Sequence, residues 1–82
     1  MKNSEIIEEI NILLIDTVEV EAEKITPSAN FFKLGRDSLD YVYFLSEIER
    51  KFGFVISTEE IVRVKTVQDF YSLVIEKQIQ IS

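Results

Sequence analysis

The most informative stretch of this sequence is Asn30-Phe31-Phe32-Lys33-Leu34-Gly35-Arg36-Asp37-Ser38-Leu39-Asp40. Gly35 allows a tight turn that a residue with a Cβ atom would resist. Asp37 is a residue type that caps helices, so Ser38 stands where a loop becomes a helix. Unpaired N–H groups and the positive end of the helix dipole favour a phosphate at such a position. Most serines in such places only cap the helix, however, and that alternative stays open.

The helix that begins at Ser38 is the second of four that the sequence predicts. Asp37 is its expected N-cap, and Gly53 is its expected stop. Helical spacing predicts a buried stripe along it, made up of Leu39, Val42, Leu45, Ile48 and Phe52.

Before this segment, the sequence predicts a first helix from Ser4 to Val18, capped by Asn3 or Ser4. Its apolar residues recur at three- and four-residue spacing and form one face. That face consists of Ile6, Ile7, Ile10, Leu13, Leu14 and Val18.

After this segment, Ser57 and Glu60 form a capping box that opens a short third helix ending near Val64. Thr66 is the expected cap of a last helix, and residues 78–82 are expected to fray. The inner face of that last helix consists of Val67, Phe70, Tyr71 and Val74.

The connection from Val20 to Asp37 is long and carries apolar side chains that should fold back onto the core. These side chains are Ile25, Phe31, Phe32 and Leu34. The expected fold is therefore all-α: a small bundle of three longer helices and one short helix, with a long first loop. At this length, residues 1–82 are expected to form a single domain.

Composition excludes several classes of function. The 82 residues include no Cys and no His, which removes thiol nucleophiles, imidazole proton transfer and the usual zinc ligands. The formal net charge of −6 argues against nucleic acid and anionic membranes as partners. No apolar run approaches ~20 residues, so no membrane insertion is expected, and the N-terminus does not look like a signal peptide. A cytoplasmic protein is expected.

The segment from Leu34 to Asp40 resembles the prosthetic-group attachment motif of the acyl carrier proteins. The chain is similar to that family along nearly its whole length. The segments Ile56 to Glu60 and Lys65 to Val67 resemble the family's third helix and the start of its fourth. Asn30 to Phe32 is similar to the related peptidyl carrier domains of nonribosomal synthetases.

The resemblance implies a free-standing carrier that is not an enzyme. A phosphopantetheinyl transferase would attach 4'-phosphopantetheine from coenzyme A to Ser38, and Asp37 and Leu39 would flank the attachment site. The arm would then hold acyl intermediates as thioesters. Partner enzymes of fatty acid or polyketide synthesis would act on these acyl intermediates. They would be of ketosynthase, ketoreductase, dehydratase or acyltransferase type. The carrier is expected to be monomeric.

The resemblance also implies a shelter for the acyl chain between the second and third helices. The apolar candidates for this pocket are Phe44, Ile56, Ile61 and Val64. The same residues are equally expected as ordinary core residues.

Carriers of this family usually offer an acidic second helix to their enzymes. The candidate partner-binding residues here are Asp37, Asp40, Tyr41, Tyr43, Glu47, Glu49 and Val62. Tyr43 and Val62 stand where the family usually shows acidic residues. At these positions, aromatic and apolar contact with partner enzymes would replace electrostatic attraction. We therefore hypothesise a carrier dedicated to one specialised pathway. The alternative is that Tyr41 or Tyr43 packs against the first loop.

Two other functions stay open at the level of the sequence. One is an aminoacyl or peptidyl carrier, suggested by Asn30 to Phe32. The other is a helical protein-interaction module without a prosthetic group, in which Ser38 serves only as a cap.

Overall fold

The computed structural model describes residues 2–81 of the chain. Within these residues it contains α-helices and no β-strands, which confirms the all-α bundle of three longer helices and one short helix. The helices are α1 (Asn3–Leu13), α2 (Ser38–Phe52), α3 (Thr58–Ile61) and α4 (Val67–Ile81). No helix in this part of the chain has the length and apolar character needed to cross a membrane.

Helix α1 runs directly into a π-helical turn, Leu14–Val18, so helical structure continues to the predicted end of the first helix. Glu19 then leaves the turn with a φ of 59°. The predicted inner face is confirmed: Ile6, Ile10, Leu14 and Val18 are buried, and Ile7 and Leu13 pack against them.

The predicted cap of α1 is wrong. The helix begins one residue earlier than expected, and Lys2 rather than Asn3 or Ser4 occupies the cap position. The Glu5 carboxylate accepts a hydrogen bond from the Lys2 N–H at 3.3 Å, so the first turn is closed by a residue inside the helix.

The predicted ends of α2 are confirmed. The Asp37 carboxylate accepts a hydrogen bond from the Leu39 N–H at 2.9 Å and caps the helix. Gly53 ends the helix with a φ of 76°, a conformation that glycine adopts without steric cost, and its N–H donates to the Glu49 carbonyl at 2.9 Å.

The predicted buried stripe of α2 is correct at Ile48 and Phe52 but wrong at its N-terminal half. Leu39 and Val42 are 70% and 61% exposed. The buried residues are instead Tyr41, Phe44, Ile48 and Phe52. The helix turns this face inward because it buries two aromatic rings, which contribute more apolar area than a leucine and a valine.

Those rings pack around Phe31, which is fully buried at the end of the first loop. Phe31 stacks on Phe70 of α4 with ring centroids 4.7 Å apart, and it lies 5.9 Å from Phe44. The expectation that the loop folds back onto the core is confirmed for Phe31. It is wrong for Phe32, which is 44% exposed, because only one of two adjacent side chains can point inward from this turn.

The capping box of α3 is confirmed: Ser57 Oγ accepts from the Glu60 N–H at 3.1 Å, and the Glu60 carboxylate accepts from the Ser57 N–H at 2.9 Å. The helix ends at Ile61, shorter than the predicted end near Val64. Beyond it, the backbone runs back beside the first loop, and the Phe31 N–H donates to the Lys65 carbonyl at 3.0 Å.

The predicted start of α4 is also confirmed, since Thr66 Oγ1 accepts from the Asp69 N–H at 3.2 Å. Its inner face of Val67, Phe70, Tyr71 and Val74 is buried as expected. Helix α4 continues to Ile81, through the residues at which fraying was expected. Ser82 lies outside the described residues.

Tyr41 joins the loop to α2. Its hydroxyl donates to the Phe31 carbonyl at 2.5 Å and accepts from the Gly35 N–H at 2.9 Å. Gly35 is required here for close packing and not for its backbone conformation, which corrects the interpretation from the sequence. A Cβ atom at this position would collide with Val18 Cγ1 and lie 3.2 Å from Tyr41 Cε2.

Replacing Tyr41 by Phe should therefore destabilise the fold. The substitution keeps the ring but leaves the Phe31 carbonyl and the Gly35 N–H without their partner, which costs about 1–3 kcal/mol of unfolding free energy. Urea unfolding followed by circular dichroism measures this loss. Tyr43→Phe is the matched control, because Tyr43 is 57% exposed, and it should change stability by less than about 0.5 kcal/mol. Equal stability of the two variants would contradict the assigned role of the Tyr41 hydroxyl.

Candidate functional site

Ser38 is exposed and is the first residue of α2. Its hydroxyl makes no hydrogen bond within the described residues, because Asp37 performs the capping instead. The alternative that Ser38 only caps the helix is therefore wrong. The hydroxyl is left free for chemistry, next to backbone N–H groups at the positive end of a helix.

The loop that precedes Ser38 is held in place on both sides. Phe31 is buried in the core, and the Tyr41 hydroxyl bridges Phe31 and Gly35. Tyr41, whose hydroxyl anchors the loop, is three residues after Ser38 and therefore about one helical turn away on α2. Ser38 is thus displayed from a fixed backbone rather than from a freely moving loop.

A groove of about 560 Å³ begins at Ser38 and extends between α2 and α3. Its apolar walls include Phe32, Val42, Leu45 and Ile61. A second groove of about 270 Å³ shares the last three of these residues and continues to Ile56. Together they form an apolar path that leads from the serine along the face between the two helices.

The four candidate acyl-pocket residues occupy two different environments. Ile61 lines both grooves, and Ile56 lines the second. Phe44 is fully buried against Phe31 and Phe70, and Val64 is buried in the segment after α3; neither lines these two grooves. Leu45 and Val42 line both grooves, and the sequence had placed them in the buried stripe instead.

The exposed apolar surface next to Ser38 is larger than the sequence predicted. Leu39, Val42 and Tyr43 are exposed on α2, and Val62 is exposed just after α3. Tyr41 was expected to face partners, and this is wrong: its ring is buried against Phe31, so the alternative of packing against the first loop is correct for Tyr41. The aromatic spacing along the helix could have indicated this, because Tyr41, Phe44 and Ile48 share one face.

The acidic candidates for partner binding differ in whether their carboxylates already interact with other groups of the chain. Asp37 and Asp40 lie beside Ser38, and the Asp37 carboxylate is engaged in capping. Glu47 forms an ion pair with Arg50 at 2.5 Å. Glu49 accepts a hydrogen bond from the Ile56 N–H at 2.7 Å, which fastens the connection between α2 and α3. Glu49 therefore has a structural task that sequence spacing alone does not reveal.

Residues 8–74 match the family model described as a phosphopantetheine attachment site. The chain belongs to this family. The family's prosthetic group is 4'-phosphopantetheine, which is attached covalently.

Curated relatives of the phosphopantetheine attachment family match most of the chain. A protein of Thermosynechococcus vestitus named acyl carrier protein is 38% identical over 78 residues, which cover 94% of this chain and 96% of the relative. A protein of the same name from Lactobacillus acidophilus is 37% identical over 75 residues, covering 90% and 94%. Another from Syntrophus aciditrophicus is 41% identical over 63 residues, covering 76% and 79%.

The residues around Ser38 fit the prosthetic group of this family. The hydroxyl is accessible and has no other partner, as a phosphodiester link requires. Arg36 lines the same groove and makes no ion pair within residues 2–81, so its guanidinium is available to a phosphate. The groove that begins at Ser38 has apolar walls formed by Phe32, Val42, Leu45 and Ile61, which suit an alkyl chain.

Helix α3, which forms one wall of the grooves, is fastened by Glu60. The Lys77 Nζ donates to both carboxylate oxygens of Glu60, at 2.9 and 2.7 Å, and thereby joins α3 to α4. These bonds, followed by the hydrogen bond from the Ser57 N–H, lower the pKa of Glu60 from 4.5 to about 2.

Acid should therefore weaken the attachment of α3. Because the folded state lowers the pKa of Glu60, its contribution to stability is complete above pH 4.5 and is lost as the pH falls towards 2. Glu60→Gln should be less stable than the original chain at pH 7, and the difference should shrink between pH 4.5 and pH 2. Urea unfolding at a series of pH values measures both trends. Glu59→Gln, which removes an exposed carboxylate without an ion pair, is the control; the same pH dependence for both variants would refute the assignment.

Proposed function

We propose that this chain is an acyl carrier protein whose prosthetic group is attached to Ser38. The observation that carries the proposal is the free, exposed Ser38 hydroxyl at the start of α2, opening onto an apolar groove. When bound, 4'-phosphopantetheine supplies a terminal thiol that holds an acyl group as a thioester. The chain's own residues position the attachment point and shelter the cargo.

Attachment needs an accessible alcohol and a separate catalyst. Ser38 Oγ attacks the coenzyme A diphosphate and forms a new phosphodiester, while the bond to the adenosine bisphosphate half breaks. A phosphopantetheinyl transferase with Mg²⁺ supplies the base and the metal. Asp37 keeps α2 capped, and Leu39 presents an exposed apolar contact beside the serine. Arg36 is placed to neutralise part of the phosphodiester charge.

The cargo rests in the apolar path between α2 and α3. Ile61, at the junction of the two grooves, is its central wall, and Ile56 lies at the far end. Phe44 and Val64 are buried core residues and do not line this path. Burial of an alkyl chain in this path contributes about 0.8 kcal/mol per methylene removed from water.

Partner enzymes perform the chemistry on the cargo. The chain offers neither Cys nor His, so the role assigned to it is presentation rather than catalysis. Enzymes of ketosynthase, ketoreductase, dehydratase or acyltransferase type are the partners that a fatty acid or polyketide intermediate requires. The monomeric state and the cytoplasmic location stay predictions from the sequence.

An acyl cargo is favoured over an aminoacyl or peptidyl one. The similarity of Asn30 to Phe32 to peptidyl carriers has a structural explanation here, because Phe31 fills the centre of the aromatic core. The curated relatives described above carry the name acyl carrier protein.

Coexpression with a promiscuous phosphopantetheinyl transferase tests the attachment site. The original chain should gain the mass of one phosphopantetheine group, and Ser38→Ala should gain none. Ser4→Ala is the matched control, because Ser4 is also an exposed serine in the first turn of a helix, and it should be modified normally. Intact-mass spectrometry measures all three. Modification of Ser38→Ala, or absence of modification from the original chain, would end the proposal.

We further propose that Tyr43 makes the carrier selective for enzymes of one specialised pathway. Its exposed ring stands on α2 near Leu39 and Val42, where it enlarges an apolar contact surface beside the attachment point. Val62, which is exposed just after α3, is a second apolar candidate for contact with partners. Tyr is suited to such a place because it combines a large contact area with a polar tip.

Tyr43→Glu should raise the KM of the acyl-loading enzyme of the chain's own pathway by about threefold or more, because an aromatic contact is replaced by a charge. Steady-state loading of the phosphopantetheinylated protein measures the change. Val55→Glu makes the same change of charge at an exposed apolar residue outside α2 and should leave the KM unaltered. An unchanged KM for Tyr43→Glu would remove Tyr43 from the interface.

A further inference from the structure

A groove of about 530 Å³ lies between the end of the first loop and the segment after α3, outside the path described for the cargo. We call it the Lys33–Lys65 groove. It is lined by Asn30, Phe32, Lys33, Val62, Val64 and Lys65. Phe32 also lines the groove at Ser38, so the two sites meet at this one ring.

The two walls of the Lys33–Lys65 groove are held together by backbone hydrogen bonds. The Phe31 N–H donates to the Lys65 carbonyl at 3.0 Å, next to an isolated antiparallel bridge between Asn30 and Thr66. The Asn30 side chain accepts from the Phe32 N–H at 3.1 Å and shapes the turn. The groove is therefore organised before any partner arrives, which lowers the entropic cost of binding.

The charge of this groove is opposite to that of the whole chain. The chain has 15 acidic and 9 basic residues, yet no carboxylate lines the groove and two lysines do. Lys33 makes no ion pair within residues 2–81. The basic residues that do form ion pairs within residues 2–81 lie outside the groove; they are Arg50, Lys51 and Lys77. The carboxylate of Asp69 near Lys65 is occupied by the backbone N–H groups of Lys65 and Thr66.

The floor of the groove is apolar and exposed. Phe32 is 44% exposed and Val62 is 61% exposed, although apolar side chains of this size are usually buried. An apolar centre with a polar rim is the usual arrangement of a protein interface, and charged groups across it contribute specificity and orientation.

We propose that the Lys33–Lys65 groove binds an acidic surface of a partner protein, which seats an apolar side chain against Phe32 and Val62 and places carboxylates on Lys33 and Lys65. A protein is favoured over an anionic membrane because the net charge of −6 repels a continuous negative surface but not a local one. The identity of the partner as an enzyme acting at Ser38 rests on the proposed function, since Phe32 joins the two grooves.

The test uses the full chain labelled with ¹⁵N and two capped peptides. One peptide alternates Asp with Leu, and the other has Lys in place of Asp. The acidic peptide should shift the amide resonances of Phe32, Lys33, Val62 and Lys65. Addition of 0.5 M NaCl should reduce these shifts, because salt screens attraction between exposed charges. The basic peptide should leave these resonances unchanged. Absence of shifts at these residues, or shifts spread over other faces, would overturn the proposal.

Charge reversal identifies the lysines responsible. The double variant Lys33→Glu/Lys65→Glu should bind the acidic peptide about fivefold more weakly or worse. The double variant Lys2→Glu/Lys24→Glu changes the net charge equally at exposed lysines outside the groove and should stay within about twofold of the original chain. Circular dichroism verifies that both variants are folded. Equal losses in the two variants would reduce the effect to net charge and overturn the proposal.

Two further measurements separate the alternatives. The first is binding of the chain to phosphatidylglycerol vesicles. If the original chain binds them and Lys33→Glu/Lys65→Glu does not, the groove binds lipid and the proposal is overturned. Intact-mass measurement of Ser38 modification is independent of peptide binding. If Ser38 is not modified but the peptide still shifts the groove resonances, the carrier function is refuted and the groove proposal stands. If Ser38 is modified normally but the peptide causes no shifts, only the groove proposal is refuted.

Discussion

The Tyr41 hydroxyl is the contact on which the site depends. By bonding to the Phe31 carbonyl and the Gly35 N–H, it fixes both ends of the turn that leads into α2. Burial raises the pKa of this phenol further above its ordinary value, so it stays protonated and keeps donating across the physiological range. This one side chain thus ties the loop that precedes Ser38 to the second helix, while Phe31 is held in the core by its ring contacts with Phe44 and Phe70.

The surface of the molecule is divided into regions of different character around Ser38. Exposed apolar residues follow α2, an apolar path separates α2 from α3, and a cationic groove lies beyond Phe32. Among residues 2–81, three carboxylates are paired with basic side chains: Glu47 with Arg50, Glu9 with Lys51 and Glu60 with Lys77. In the proposed function, the shape and charge distribution of this chain supply selectivity, while the attached group supplies reactivity that a chain without Cys or His lacks.

Much of this fold could be predicted from the sequence because its signals are local. The caps at Asp37 and Ser57 and the stop at Gly53 depend on nearby residues, and all three are confirmed. Only the N-terminal half of the inward face of α2 was predicted wrongly: Leu39 is exposed, and Tyr41 is buried against the Phe31 ring of the preceding loop. The groove beside Lys65 likewise arises from segments far apart in the chain, residues 30–33 and 62–65.

The contact between Gly35 and Val18 links the attachment motif to the end of the first helix. Since a methyl group at position 35 would occupy the space of Val18 Cγ1, the two positions share a fixed volume. A larger residue at one can be accommodated only by a smaller residue at the other. In divergent homologues these sites should covary, so that loss of the motif glycine is accompanied by a compensating truncation seventeen positions upstream.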